Sequence, residues 1–573
     1  MTIELTRPAP AAVPGPLDDT LYDLVEARFR RLVHDNPAVA TFVGIHAEDH
    51  RLADGSRDAV LGELAAERAH LAAIEALDPA GLSAEAAFER ELELHNVRQA
   101  IFRTDAIRTW ERRSTALDGL GDALFLVFAR DFAPLQERLE ALAGRLEGVP
   151  TFLAEHRTRA TVPQVRLWQQ VELATARSLP GFIDEIEAAD RGLLGDVAAR
   201  RLRRSAERAR SAIAEHATWV ESTLATGTDD WALGGGLLDE LIRLRAFDGL
   251  DTDAILAIGL EQLAEQKAAR VAAAREIDPD ADEPTVVDRI KRDHPATFDE
   301  ALDAYRDAMR RARAHLIERD LVTVPDDERL EVVPTPGYLR TVIPFAAYFE
   351  PPKFDRDPIG IYIVTPSVDG DPNAMREHNR SSISNTSIHE AYPGHHLQLS
   401  VSTRHPSLTR LLADAPEFTE GWGMYSEQLM REEGFDDDAR FRLAMHTDAI
   451  WRACRIVLDI RLHRGEIGVD EAVDFLVGQT GFERANARAE VRRYTYTPTY
   501  QLSYLLGKVL ILGLRDEERR RLGDRFRLRD FHDTLLRNGS IPISFHRRVL
   551  RDGPGAGGAP RSVGPASAPG EAA

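Results

Sequence analysis

The sequence predicts a mainly helical fold in which a small β-sheet flanks a deep cleft, and three observations carry that prediction. From Asp18 to about Asp320, apolar residues recur three and four apart with charges between them, the signature of amphipathic helices. Near Val322 the composition shifts to β-branched and aromatic residues punctuated by PDD, PTPG and EPPKFDRDP, which reads as short strands. From Ile383 the helical pattern resumes. A chain of 573 residues can bury a large core, and no Pro/Gly/Ser-rich linker divides this one. One domain is therefore expected over residues 18–551, with 18–320 as a helical wall and 321–551 as the sheet plus the helices that carry the chemistry.

Taken in order, the Pro-rich residues 1–17 should form a flexible arm, and they lack the basic start and apolar stretch of a secretory signal. LYDLVEARFRRLV, AVLGELAAERAHLAAIEAL, EAAFERELELHNVRQAIFR and LQERLEALAGRL are the first helices, separated by turn signals such as DNPA, LDPAG and EGVP. The basic run RRLRRSAERAR from Arg200 is interleaved with Ala and Glu at helical spacing, so it reads as a solvated helix face. GGG at Gly234 to Gly236 lacks the spacing of a phosphate or dinucleotide loop and reads as a helix break. In the strand region, IGIYIVTPS could be an edge strand that pairs with an extended substrate, or equally part of a structural hairpin. Residues 552–573 are rich in Gly, Pro and Ala with almost no large apolar side chain, and should be a disordered tail.

Composition narrows the function. A formal charge of −22 opposes non-specific binding to nucleic acid or anionic membrane. No stretch approaches 18 uninterrupted apolar residues, so no membrane span is expected. The single cysteine, Cys454, allows no internal disulfide and reads as a small buried hydrophobe. A cytoplasmic protein is the expectation.

The chemistry is concentrated between His389 and Glu420, in HEAYPGHHLQLSVSTRHPSLTRLLADAPEFTE. Imidazoles and a carboxylate are the ligands a catalytic zinc takes when it keeps one position open, and a glutamate beside the first ligand is placed to take a proton from water. His389, one of the two adjacent histidines His395 and His396, and Glu420 supply such a set, with Glu390 as the base. The motif is an expanded HExxH. The fourth position is Pro393, which cannot donate to the His389 carbonyl and crowds it, so the helix must distort, and Gly394 supplies the freedom to do so. In an undistorted helix His395 would lie ~240° round from His389, and His396 would be nearly in line but ~10.5 Å along. Neither could then share an ion with His389, so we expect a bulge at the PG pair. The Gly-His order favours His395 as the second ligand and leaves His396 as an alternative ligand or a supporting contact.

IHEAYPGHHLQ, FTEGWGMYSEQL and RRYTYTPTYQLSYLLGK together resemble the bacterial family filed as domain of unknown function 885, which is grouped with zinc peptidases. The resemblance runs from about residue 21 to 550 and implies a large helical zincin-like fold. It also implies the glutamate-zincin scheme, with a Glu-bearing helix about 25 residues after the second histidine, where Glu420 stands. Related zincins use a late tyrosine or histidine to stabilise the oxyanion; Tyr504, in PxxQxxY, is the first choice among Tyr494, Tyr496, Tyr500 and Tyr504, and His463 the second. The family has a glycine where Arg461 stands, two residues before His463. Glu427 follows Glu420 at helical spacing and reads as an arginine's partner or a supporting group. Arg493 and Lys508 are candidates for a substrate carboxylate. The expected function is a zinc-dependent hydrolase of short peptides or amino-acid amides, of dipeptidase or carboxypeptidase type. The alternatives are a zinc amide hydrolase of a non-peptide metabolite and a ligand-binding protein on a peptidase scaffold.

Overall fold

The computed structural model describes residues 5–335, 340, 343, 346–366 and 374–553. It is 69% helix and 3% strand, so the sheet is an inset in a helical body, as the periodicity predicts. Helices start where the sequence offers caps: Ser56, Ser83, Asp251, Thr297 and Asn379 each accept a backbone N–H of the first turn they precede. Two large cores result. One joins Leu135–Arg157, Arg166–Ala188 and Asp196–Leu224 around Leu146, Phe182 and Leu202. The other surrounds Phe418, Trp422, Tyr425, Ile456 and Leu506, and it carries the His-Glu segment. The basic run lies on Asp196–Leu224 with Arg201 paired to Glu147 and Arg210 to Asp184, while Leu202, Ala206 and Ala209 turn inward. It is a solvated face.

One expectation is corrected. The sheet contains β1 (Leu330–Pro334), β2 (Ala346–Phe349) and β3 (Gly360–Val364) in the order β1-β3-β2. IGIYIVTPS is therefore its central strand, parallel to β1 and antiparallel to β2, and both of its edges are already hydrogen-bonded. It cannot accept a substrate strand. Among the described residues the free edge near the His-Glu segment is that of β2. The arm before the first helix makes contacts with the body: Arg7 pairs with Asp23 and Glu26, and the Thr6 hydroxyl donates to the Pro406 carbonyl at 3.0 Å. Residues 1–4 and the predicted tail from 554 lie outside the described residues.

Candidate functional site

The distortion at Pro393 is larger than a bulge. Helix Arg380–Glu390, capped by Asn379, stops after the His-Glu pair, and a new helix, His395–Ser402, begins at the first of the adjacent histidines. Two long-range backbone bonds span the break, Gly394 N–H to the Ile388 carbonyl at 3.0 Å and Leu397 N–H to the Ala391 carbonyl at 3.2 Å. The break is held from below by the Trp422 indole, which donates to the Pro393 carbonyl at 2.8 Å. A side chain at Gly394 would overlap the carbonyl oxygens of Ile388 and His389, so only glycine permits the chain to fold back this tightly.

The consequence is that His389 and His395 face one another, their ring centroids 4.8 Å apart and nearly perpendicular. Glu420 closes the group from helix Pro416–Glu432, with its Oε2 3.3 Å from His395 Nε2 and 3.6 Å from His389 Nε2. The ligand atoms of His389, His395 and Glu420 all lie within 4.8 Å of one another. Two imidazoles and one carboxylate are a donor set that could hold a divalent metal ion. His395 Nδ1 is buried without a partner among the described residues.

Supporting groups fix these rings. His389 Nδ1 meets Glu427 Oε1 at 2.7 Å, and Asn385 Nδ2 donates to the other Glu427 oxygen at 2.9 Å. This is the carboxylate-behind-histidine arrangement that sets tautomer and ring orientation at metal sites. Glu420 Oε1 accepts from the Tyr500 hydroxyl at 2.9 Å, which leaves Oε2 toward the imidazoles. His396 points elsewhere: its Nε2 meets Glu328 at 2.6 Å and its Nδ1 meets the Tyr348 hydroxyl at 2.9 Å, tying the helix to β2. The alternative in which His396 takes the second ligand place is not what the geometry offers.

Burial opposes the charges of His389, Glu420 and Glu427, yet it is outweighed at each of them. The imidazoles hold the Glu420 carboxyl well below the usual range, and Glu420 and Glu427 hold His389 up at about 10. The centre thus attracts positive charge. Glu390 has no hydrogen-bond partner among the described residues, and burial pushes its carboxyl up. It neighbours His389 in the chain, and the charges of His395, His389 and Glu420 act on it.

Tyr504 stands next to Tyr500, ring centroids 6.0 Å apart, and feels the Glu420 charge. Both tyrosines reach the cluster because helix Ser503–Leu522 crosses helix Pro416–Glu432 at a contact of two glycines. A Cβ at Gly421 would come 2.6 Å from the Gly507 Cα, so the backbones touch there. The residue before Tyr500 is Thr499 at φ +65°, a strained conformation for a β-branched residue. Asp459 accepts its N–H at 2.8 Å and Arg245 donates to its carbonyl at 2.6 Å, and these bonds hold the strain in place.

Two candidates lie apart from the cluster. His463 sits eight residues past Arg455 at the end of helix Ala439–His463, about 12 Å further along. Its Nε2 meets the Tyr494 carbonyl at 3.0 Å, burial lowers its pKa to about 4, and Trp231 packs on its ring. That is a structural position, not an oxyanion donor. Lys508 is 3% exposed and so is shielded from solvent and from an incoming carboxylate. Arg493 remains a third exposed and lies near Tyr504. Sequence reasoning missed Glu328, Tyr348 and Asn385 as supports, because nothing in local spacing links them to the motif. Tyr500 was visible in the YTPTYQLSY stretch but had no signal that singled it out.

Fold and site together define a mainly helical class of protein in which a broken His-Glu helix, a second histidine helix and a glutamate helix meet at one buried cluster. The chain belongs to the bacterial family described as "Bacterial protein of unknown function (DUF885)", whose model matches residues 37–550. Two solved structures share the fold. A "putative lipoprotein" from Colwellia psychrerythraea has a TM-score of 0.81 at 19% identity, over 93% of this chain and 98% of that one. A "putative lipoprotein of unknown function" from Shewanella oneidensis has a TM-score of 0.75 at 21% identity, over 92% of this chain and 99% of that one. No curated protein matches the chain. No helix among the described residues is long and apolar enough to cross a membrane.

Proposed function

We propose that this protein is a zinc-dependent hydrolase of short peptides, of glutamate-zincin type. The observation that carries the reading is the convergence of His389, His395 and Glu420 within 4.8 Å, with the unbonded carboxylate of Glu390 beside them. When bound, zinc supplies Lewis acidity toward water and the scissile carbonyl. Glu390 accepts a proton from the attacking water at a carboxylate oxygen and returns it to the leaving amine; its raised pKa suits both halves of that transfer. Glu427 keeps the His389 ring oriented, and Tyr500 keeps Glu420 turned toward the imidazoles. With the Tyr500 hydroxyl so engaged, Tyr504 is the donor left for the oxygen that gains charge during attack.

The test combines metal analysis with a dipeptide library. About one zinc per chain and release of free amino acids are expected, and Glu390→Gln should retain zinc and fold while hydrolysis falls by roughly 10³-fold or more. Loss of zinc in that variant would make Glu390 a ligand instead. Near-normal hydrolysis with zinc retained would remove it as the base. Absence of zinc after supplementation would end the zinc reading, and zinc without any hydrolysis would point to capture of a ligand.

A further inference from the structure

Two guanidinium groups lie over the Tyr504 ring, and a third shares a carboxylate with one of them. Arg452 and Arg455, three residues apart on helix Ala439–His463, each lie 4.0 Å from the Trp451 ring centroid, and 5.9 Å and 4.7 Å from that of Tyr504. Arg493 joins them from helix Arg484–Tyr494, and its charge also acts on Tyr504. Glu490 and Asp448 are the carboxylates that hydrogen-bond these groups. Glu490 accepts from Arg455 at 2.9 Å, from the Tyr494 hydroxyl at 2.8 Å and from Arg493 at 3.4 Å. Asp448 reaches Arg452 only at 3.5 Å and already accepts from Asn385 at 2.8 Å. The Nε atoms of both Arg452 and Arg493 are buried without a partner among the described residues. A pair of arginines with unsatisfied donors needs a reason.

Its position supplies one. Arg452 meets Asp448, which shares Asn385 with Glu427, the partner of His389, and Tyr504 adjoins Tyr500, which donates to Glu420, so a chain of direct contacts links these arginines to the His-Glu cluster. The cluster also opens to solvent, the side chains of Arg493, Glu490 and Arg452 being 34%, 23% and 15% exposed, whereas Arg455 at 4% is the buried member that anchors Glu490. We propose that Arg452 and Arg493 form a receptor for the free α-carboxylate of the substrate, one residue beyond the bond that is cut. Arginine is suited to this, because its planar fork offers paired donors to a carboxylate. The inference rests on the peptidase reading and sharpens it: the enzyme would act at the C-terminal end of its substrates, with Tyr504 between the carboxylate receptor and the metal ligands.

The test is calorimetric titration of the Glu390→Gln protein with Ala-Ala, Ala-Phe and Gly-Leu, each as the free acid and as the C-terminal amide. At least one free acid should bind ~10-fold or more tightly than its amide. Arg493→Gln, at a partly exposed position, and separately Arg452→Gln, should reduce that preference to ~3-fold or less, with melting curves confirming that each variant is folded. Equal binding of acids and amides, no binding of any of the six compounds, or an acid preference unchanged in both arginine variants would overturn the proposal. Ala-Asp amide, whose only carboxylate is on its side chain, should bind like an amide; binding like a free acid would overturn the assignment to the α-carboxylate. Hydrolysis by the unsubstituted protein is measured beside these titrations. An acid preference without hydrolysis keeps the receptor and removes the peptidase reading, and hydrolysis without an acid preference does the reverse.

Discussion

His395 and His396 are adjacent in the chain and do different work. His395 faces His389 and Glu420, while His396 is held by Glu328 and Tyr348. His395→Ala should therefore abolish zinc binding with little effect on the rest of the fold. His396→Ala should keep zinc but lower stability by ~1–3 kcal/mol, because Glu328 and the Tyr348 hydroxyl lose a buried partner. Metal content and thermal melts of the two variants decide it, and zinc loss confined to His396→Ala would reverse the two assignments. The spacing from His389 to Glu420, with the family resemblance, pointed to His389 and Glu420 and left His395 and His396 as alternatives for the second histidine. What it could not give was the direction of each ring. That depends on a chain reversal at Tyr392 to Gly394 whose closure comes from Trp422 and two backbone bonds across the break. His463 shows the same limit: a histidine near a helix end looks available until the partner helix covers it.

At the scale of elements, the central place of β3 was written in its composition. A strand buried on both faces reads as a continuous apolar run, and IGIYIV is such a run, whereas an edge strand would alternate. The connection after β2 is secured by His46, which reaches Asp49 Oδ2 at 2.8 Å and Asp355 Oδ1 at 2.7 Å and stacks on Phe132. Burial opposes the His46 charge, but the two carboxylates outweigh it and hold its pKa at about 9, above the unfolded value near 6.5. The sign follows: the clasp stabilises fully below about pH 6.5, and its contribution disappears as pH rises through 9. The melting temperatures of the protein and of His46→Gln should differ most near pH 6 and converge above pH 9. A difference that stays constant across this range would show that the clasp is not ionic. No local pattern revealed this contact, which joins positions 309 residues apart.

For the whole molecule, helix content and the order of helices, sheet and helices were legible, because amphipathic periodicity is a local property repeated over hundreds of residues. The way the cores meet was not, since it rests on partners distant in sequence. The proposed ligands come from three helices, so an ion there would hold those helices together as well as serve chemistry. Dialysis against a chelator should lower the melting temperature by a few degrees, and added zinc should restore it; free zinc at a hundred times its Kd contributes about 2.7 kcal/mol. An identical melt with and without zinc would mean that the native state has no preference for the ion. The bare contact between Gly421 and Gly507 has a consequence for how such a protein can diverge. With no side chain between the two backbones, the offset of the tyrosine segment from the Glu420 helix is set by covalent geometry alone. A methyl group at either glycine acts as a shim, displacing Tyr500 and Tyr504 as a unit while leaving every polar group of the cluster in the sequence. Lineages could thus move the tyrosines off the cluster without losing a single signature residue, and the motif in a relative is a weaker sign of the same site geometry than the motif together with both glycines.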